Sequence, residues 1–337
     1  MRILLDVMGG DLPPEELVKG GIAAGHENGI DLLFAGDPSL IRKTLSNHNE
    51  HEGTRFAILP TTQVIMMEDP PVRAVRSKSE SSLVHGLHAL RDREVDAFVS
   101  PGNTGAIVAG AIFTLGRLPG ILRPGILVSI PTLAGPEILI IDVGANVDCA
   151  PDHLVHFAFM GSSYARHVTG IDHPTIGLLN IGTEKTKGNK FNKLVFEHLE
   201  SSPLPFTGNV EGHHLLTERP VDVVVCDGFV GNVLLKALEG GVSAMTNQLK
   251  RYIKRSRRAK VGAWFLRPAF TALKQQLSYR RQGGAPLLGV NGIVVIAHGR
   301  SDAETIKSAI AVACGVVESN VAEQIQQGIV GWKKNGR

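Results

Sequence analysis

The stretch Val95-Asp96-Ala97-Phe98-Val99, followed by Ser100-Pro101-Gly102-Asn103-Thr104-Gly105-Ala106, decides the fold. An apolar run breaks into a Gly-rich turn, and the turn opens a helix-like run from Ala106 to Leu115. Glycines let backbone N–H groups crowd round an anion, and a helix N-terminus adds partial positive charge. Ser100, Asn103 and Thr104 add side-chain donors. Ser100, Gly102, Asn103, Thr104 and Gly105 therefore read as an anion cradle. The text is neither a Walker loop nor GxGxxG, and a turn capped by Asn or Thr is the competing reading.

Further runs of the same kind lie on both sides. Ile3–Leu5, Asp31–Phe34, Phe56–Leu59, Ile126–Ile130, Ile138–Val143, Thr175–Asn180, Val221–Cys226 and Ile293–Ala297 read as strands beside Val95–Val99. Most are continuously apolar, as in a parallel sheet covered on both faces. Glu15–Gly25, Ser39–Ser46, Ser82–Glu94, Thr104–Leu115, Pro151–His167 and Ser301–Glu323 read as helices between them. The alternation predicts an α/β fold with a doubly wound, mostly parallel sheet. Sites in such folds gather where strands end and helices begin. Polar, Gly-rich text stands at those points: Asp6–Asp11, Asp142–Asp148, Asn180–Asn189, Cys226–Asn232 and His298–Ser301. One shared crevice is the expectation.

The 337 residues are 43% hydrophobic and 20% charged, enough for a large core and against wholesale disorder. Met1–Asp6 enters a strand pattern directly, so no leader is expected. No uninterrupted apolar run approaches the roughly 18 residues of a membrane span. Cys149, Cys226 and Cys314 are scattered and lack metal-site spacing, which fits a reducing, cytoplasmic setting. They read as small core hydrophobes. His213-His214 has no third ligand at helix spacing, so surface histidines and no metal are expected.

The net charge of +3 hides an asymmetry. Gly240–Ser301 holds twelve Lys or Arg and no Asp or Glu, while the rest carries nine more acidic than basic residues. Lys250, Arg251, Lys254, Arg255, Arg257, Arg258 and Lys260 are followed by Val261, Trp264, Phe265, Leu266, Phe270, Leu273 and Leu277. Val242, Met245, Leu249 and Ile253 make an apolar stripe ahead of them. The pattern predicts two helices over 241–282 with a basic and aromatic tip. Lys254, Arg255, Arg258, Trp264, Phe265 and Leu266 are its candidate contacts with an anionic membrane surface. The same charge suits an acidic protein partner. A dimer-packing helix pair with a solvated basic face is the plain alternative. No nucleic-acid motif accompanies the charge, so no nucleic-acid role is expected.

Taken in order, these segments resemble the PlsX family, the phosphate acyltransferases of bacterial phospholipid synthesis. The matching text is Asp6–Asp11, Ala74-Val75-Arg76, Ser81-Ser82, Val99–Ala106, Asp142–Cys149, Ile181–Glu184 with Lys187-Gly188, Asp227-Gly228-Phe229 with Gly231-Asn232, and Gly283–Gly292 through His298-Gly299. The likeness runs in register from Met1 to about Asp302. Pro101 stands where the family usually has Ala, and it removes one amide from the loop. The resemblance implies a phosphotransacetylase-like, isocitrate/isopropylmalate dehydrogenase-like fold in one catalytic unit spanning 1–337, with 241–282 as a protruding helical hairpin inserted in it. It implies conversion of acyl-ACP and inorganic phosphate to acyl phosphate and ACP. No cofactor is expected. A homodimer, peripheral attachment to the inner face of the cell membrane, and delivery of product to a membrane glycerol-phosphate acyltransferase are also implied.

Phosphate attack on a thioester suits such residues. Phosphate is its own nucleophile, and a thiolate leaves without strong acid help. The protein must hold and orient phosphate and supply donors to the oxyanion; orientation contributes up to about 7–11 kcal/mol and one oxyanion donor about 3 kcal/mol. The cradle would bind phosphate. Lys187 would add positive charge, with Lys185 and Lys190 as rivals. Asp227 and Asn232 would orient phosphate or polarise the thioester, although Asp227 also suits a helix cap. His298 would protonate the leaving sulfur or line the crevice. Asp6 and Asp142 suit a structural part. A CoA-dependent phosphotransacetylase, a nicotinamide-dependent dehydrogenase and a non-catalytic membrane adaptor are the rival functions. The dehydrogenase lacks its carboxylate cluster and adenine loop here, and the adaptor leaves the strand-end motifs unexplained.

Overall fold

The computed structural model describes residues 1–276 and 283–336. The N-terminal apolar run forms β1 (Arg2–Asp6), and both of its faces are covered. Leu4 packs with Phe98 and Leu87, whereas Ile3 and Leu5 pack with Leu17 and Phe34. This two-sided burial is why the strand text is continuously apolar. Then come α1 (Pro14–Asn28), β2 (Asp31–Gly36), α2 (Pro38–Asn47), β3 (Phe56–Pro60), α3 (Pro71–Ser77), α4 (Ser82–Arg91), β4 (Ala97–Ser100) and α5 (Thr104–Thr114). The chain continues through β5 (Gly125–Ile130), β6 (Ile138–Ile141), α6 (Pro151–His167), β7 (Ile176–Asn180), α7 (Lys190–Glu200), β8 (Phe206–Glu211), α8 (His214–Thr217) and β9 (Val223–Val225). Last are α9 (Gly228–Arg255), α10 (Arg257–Phe265), α11 (Arg267–Gln276), β10 (Gly284–Leu288), β11 (Val294–Ala297), α12 (Ala303–Glu318) and α13 (Val321–Gly336).

The described strands form one sheet in the order β3-β2-β1-β4-β11-β10-β5-β6-β9-β7-β8. β3, β2, β1, β4 and β11 run parallel, as do β6, β9, β7 and β8. Between these halves, β10 is antiparallel to both β11 and β5, and β5 is antiparallel to β6. The predicted doubly wound, mostly parallel sheet is therefore present. β2 and β3 lie on one side of β1 and β4 on the other. The winding reverses between β1 and β4, and in open α/β sheets sites form at the strands' C-terminal ends by such a reversal.

Several boundaries differ from the sequence reading. Ser301–Glu323 is two helices, α12 and α13, because Asn320 adopts a left-handed φ of 51° between them. β10 was not expected, since Pro286 in Gly-rich text argues against an inner strand. β8 was not expected either; it lies at the sheet edge, and its Gly208 has φ 114°. No single helix among the described residues is long and apolar enough to cross a membrane.

The basic segment projects from the fold. α9 has 28 residues, but only Gly228, Gly231 and Leu235 are buried. A Cβ added at Gly240, Gly241 or Gly262 would meet nothing within 4 Å. The expected pair of helices is three: Ser256, in extended backbone, ends α9 and caps α10 by accepting the Ala259 amide at 3.3 Å. Trp264 and Phe265 close α10 at 68% and 69% exposure. Leu277, expected on the tip helix, lies outside the described residues, as does the end of the 241–282 segment.

Candidate active site

Two buried aspartates organise the strand ends. Asp6 closes β1. Its Oδ1 accepts the amides of Met8 and Gly9 at 3.0 and 3.2 Å, and its Oδ2 accepts the Ser100 hydroxyl at 2.8 Å. That hydroxyl in turn accepts the Gly102 amide at 3.1 Å. The loops after β1 and β4 touch: a Cβ on Gly9 would lie 2.8 Å from Gly102 Cα, so glycine is required by close approach. The loop after β11 joins them through Asp11 N–H donating to Gly299 O at 2.7 Å.

Asp142 does the same after β6. Its Oδ1 accepts the amides of Ile126, Gly144 and Ala145, and its Oδ2 accepts the Asn146 amide and side chain at 2.8 Å each. Asn146 O accepts the Gly228 amide at 2.8 Å, which ties this loop to the start of α9. Burial pushes the carboxyl of each aspartate up from its ordinary value, while the hydrogen bonds pull it down.

The cradle residues divide by role. Ser100 is fully buried between Asp6 and Gly102, so its side chain shapes the loop and offers no free donor. Asn103 caps α5: its Oδ1 accepts the Ala106 amide at 3.0 Å. Its Nδ2 faces the carbonyls of Met66, Met67 and Asp69, which occupies both hydrogens. Thr104 and Gly105 are exposed in the first turn of α5, and the cap leaves their amides without a partner among the described residues. Pro71 packs against Gly105, so an open groove of about 560 Å³ along α3, bearing Arg73 and Arg76, borders that helix end.

Asp227 caps α9, accepting the amides of Phe229 and Val230 at 3.0 and 2.9 Å. This is the capping alternative of the sequence reading. Asn232 is exposed on the same helix with its side chain beside Gly144. The rival lysines separate clearly. Lys185 holds Glu200 at 2.6 Å and lies over the Phe196 ring, whereas Lys187 has Glu184 only at 3.7 Å and is half exposed. Lys187 sits on its own loop after β7, where its carbonyl accepts from Asn180 Nδ2.

His298 stands where the two halves approach. Partial burial and the charge of Lys236 on α9 hold its pKa below the ordinary value, and Glu239 and Asp11 oppose this. Its Nδ1 is 3.1 Å from the Arg300 amide, which donates to it. A neutral ring that accepts at Nδ1 carries its proton on Nε2 as a donor. Near Asp142 and Asp227, burial pushes the Cys149 thiol up to about 12 and the Cys226 thiol well above its ordinary value, which disfavours the thiolate form of each. Sequence reasoning missed one grouping. Glu211, at the end of β8, brings a carboxylate oxygen within 4.8 Å of a ring nitrogen of His213 and of His214, a grouping that helix spacing could not reveal.

The family described as fatty acid synthesis protein matches residues 1–324. A protein named phosphate acyltransferase from Brevibacillus brevis is 45% identical over 331 residues, 98% of this chain and 97% of its own. One of the same name from Moorella thermoacetica is 45% identical over 321 residues, 95% of this chain and 94% of its own. Among solved structures, a phosphotransacetylase from Streptococcus pyogenes superposes with TM-score 0.65 at 15% identity, covering 94% of each chain. A putative 4-hydroxythreonine-4-phosphate dehydrogenase from Salmonella typhimurium gives 0.56 at 12% identity, covering 94% of this chain and 99% of its own. The two solved structures establish the fold, and the full-length sequence matches establish the kinship: the chain belongs to the phosphate acyltransferase family of fatty acid synthesis proteins.

Proposed function

We propose that orthophosphate binds at the first turn of α5 and attacks an acyl-ACP thioester there. The chain is an acyltransferase of phospholipid synthesis that makes acyl phosphate and free ACP. The observation that carries the siting is the pair of open amides at Thr104 and Gly105, on a helix start held rigid by Asn103, Ser100 and Asp6. A phosphate oxygen adds to the thioester carbonyl, the C–S bond breaks, and the proton of hydrogen phosphate passes to the leaving sulfur. Positioning and oxyanion donors suffice for this step. The Thr104 and Gly105 amides with the Thr104 hydroxyl hold phosphate. Ser100, Gly102 and Asn103 shape the cradle. Lys187 supplies positive charge, Asp227 aims the start of α9, Asn232 orients the thioester, and His298 Nε2–H serves the sulfur or the oxyanion.

The decisive experiment incubates the protein with long-chain acyl-ACP and phosphate and traps acyl phosphate as hydroxamate while free ACP is measured. Phosphate-dependent hydroxamate is expected. Thioester loss that ignores phosphate would overturn the reading.

A second reading concerns the arm, because Trp264 and Phe265 are exposed beside a dense cationic run. It places the enzyme at the inner face of the cytoplasmic membrane, with Lys254, Arg255, Arg258, Trp264, Phe265 and Leu266 on anionic lipid. The same charge would draw acidic ACP to the crevice, and product would pass to a membrane glycerol-phosphate acyltransferase. A homodimer follows from the resemblance. It agrees with exposed Phe229, Val230 and Val233 at the start of α9, an apolar face for a second copy to cover.

A further inference from the structure

β8 ends at Glu211, and Gly212 and His213 turn the chain into α8. In an extended strand, consecutive side chains point to opposite faces. His213 instead has φ −73° and ψ −25°, so it and His214 swing to the same side, with ring centroids 3.9 Å apart. One carboxylate oxygen of Glu211 and one nitrogen from each imidazole all lie within 4.8 Å of one another. Glu211 and His214 are half-buried, and His213 is exposed. The group is therefore partly held by the fold and open on one side.

We propose that Glu211, His213 and His214 bind a transition dication of the zinc class. Two imidazoles and a carboxylate suit zinc and its borderline neighbours, whereas magnesium and calcium prefer all-oxygen shells. Three protein ligands leave a fourth position for water. Glu218, 3.8 Å from His214 Nε2, is the competing partner of that ring when no ion is held. The place in the fold gives the site a consequence. Glu211 pairs with Asn180 across the β7–β8 ladder. The Asn180 side chain donates to Asn209 Oδ1 at 3.0 Å and to Lys187 O, and Asn209 donates to Glu184 O at 2.9 Å. An ion at Glu211 fastens the strand end from which the Lys187 loop hangs. Binding of the ion stands apart from the phosphate reading, because Glu211, His213 and His214 take no part in that reading, which draws here only on the neighbouring Lys187.

Calorimetric titration of the full chain with Zn²⁺ tests it, alongside Glu211→Gln, His213→Ala, His214→Ala and the triple variant. One Zn²⁺ per chain is expected in the parent protein, with affinity reduced on the order of tenfold or more in each single variant. His213 is exposed, so its replacement leaves the core intact, and equal melting without metal verifies this. Zn²⁺ should raise the melting temperature of the parent and not that of the triple variant. Equal binding by parent and triple variant would overturn the proposal, as would displacement of Zn²⁺ by millimolar Mg²⁺.

Discussion

The Ser100 hydroxyl donates to Asp6 Oδ2 at 2.8 Å, joining residues ninety-four positions apart at the ends of adjacent strands. Both are buried, and the same hydroxyl accepts the Gly102 amide. One side-chain pair thus sets the spacing of two loops. Removing either side of this buried, charge-assisted hydrogen bond costs about 1–3 kcal/mol. Urea denaturation of Ser100→Ala and Asp6→Asn should show losses of this size. The double variant should lose less than the sum, because the second change removes a partner already lost. Fully additive losses would break the link.

Lys187 and Lys185 differ in what already holds them. Lys187→Ala should raise the phosphate KM or lower kcat by on the order of tenfold or more, as removal of a charge acting on the reacting groups does. Lys185→Ala removes a surface pair with Glu200, worth about 0–1 kcal/mol, and should leave turnover near that of the parent. Steady-state hydroxamate assays at varied phosphate distinguish the two. Equal loss in both variants would move the charge elsewhere on the loop.

The depressed pKa of His298 has a definite sign in stability. The unfolded imidazole takes its proton near 6.5, while the folded ring resists it to lower pH. The stability contribution is therefore present above 6.5 and is lost as pH falls through the folded value. His88 and His153 are depressed too, each chiefly by burial, and add to the same acid loss. Urea titrations below pH 6.5 should show a shallower acid decline in His298→Asn than in the parent. An unchanged slope would mean that the folded ring titrates normally.

The arm offers a separable property. Trp264→Glu with Phe265→Glu should abolish sedimentation with anionic liposomes while hydroxamate formation with soluble acyl-ACP persists. Binding should also weaken with salt, since each basic residue near such a surface contributes about 1 kcal/mol that screening erodes. Liposome binding unaffected by the double change would remove the tip from the contact.

Much of this was legible because the sheet is covered on both faces. Runs such as Leu32–Phe34 and Ile138–Ile141 need no alternation when each side meets helices, so length and flanking glycines marked them. β10 escaped because Pro286 speaks locally against a strand, while its partners β11 and β5 supply the pairing from a distance. The strand-end loops could be located from the sequence, but the division of labour within them could not. Ser100 and Asn103 look like donors in a list of residue types. Their engagement with Asp6 and with the Met66, Met67 and Asp69 carbonyls depends on loops far apart in sequence. The Glu211 grouping was hidden for the same reason: a strand end, not a helical repeat, brings the carboxylate to the histidines.

α9 runs unbroken from Gly228, next to its cap Asp227 after β9, to Arg255, where Ser256 hands over to the helix that carries the aromatic tip. Twenty-eight helical residues span about 42 Å. The helix is thus a strut of set length, and a tip lodged in lipid would fix the standoff and tilt of the reaction chamber above the bilayer. Acyl phosphate would have to cross that gap, or ride a partner across it, before reaching any enzyme embedded below.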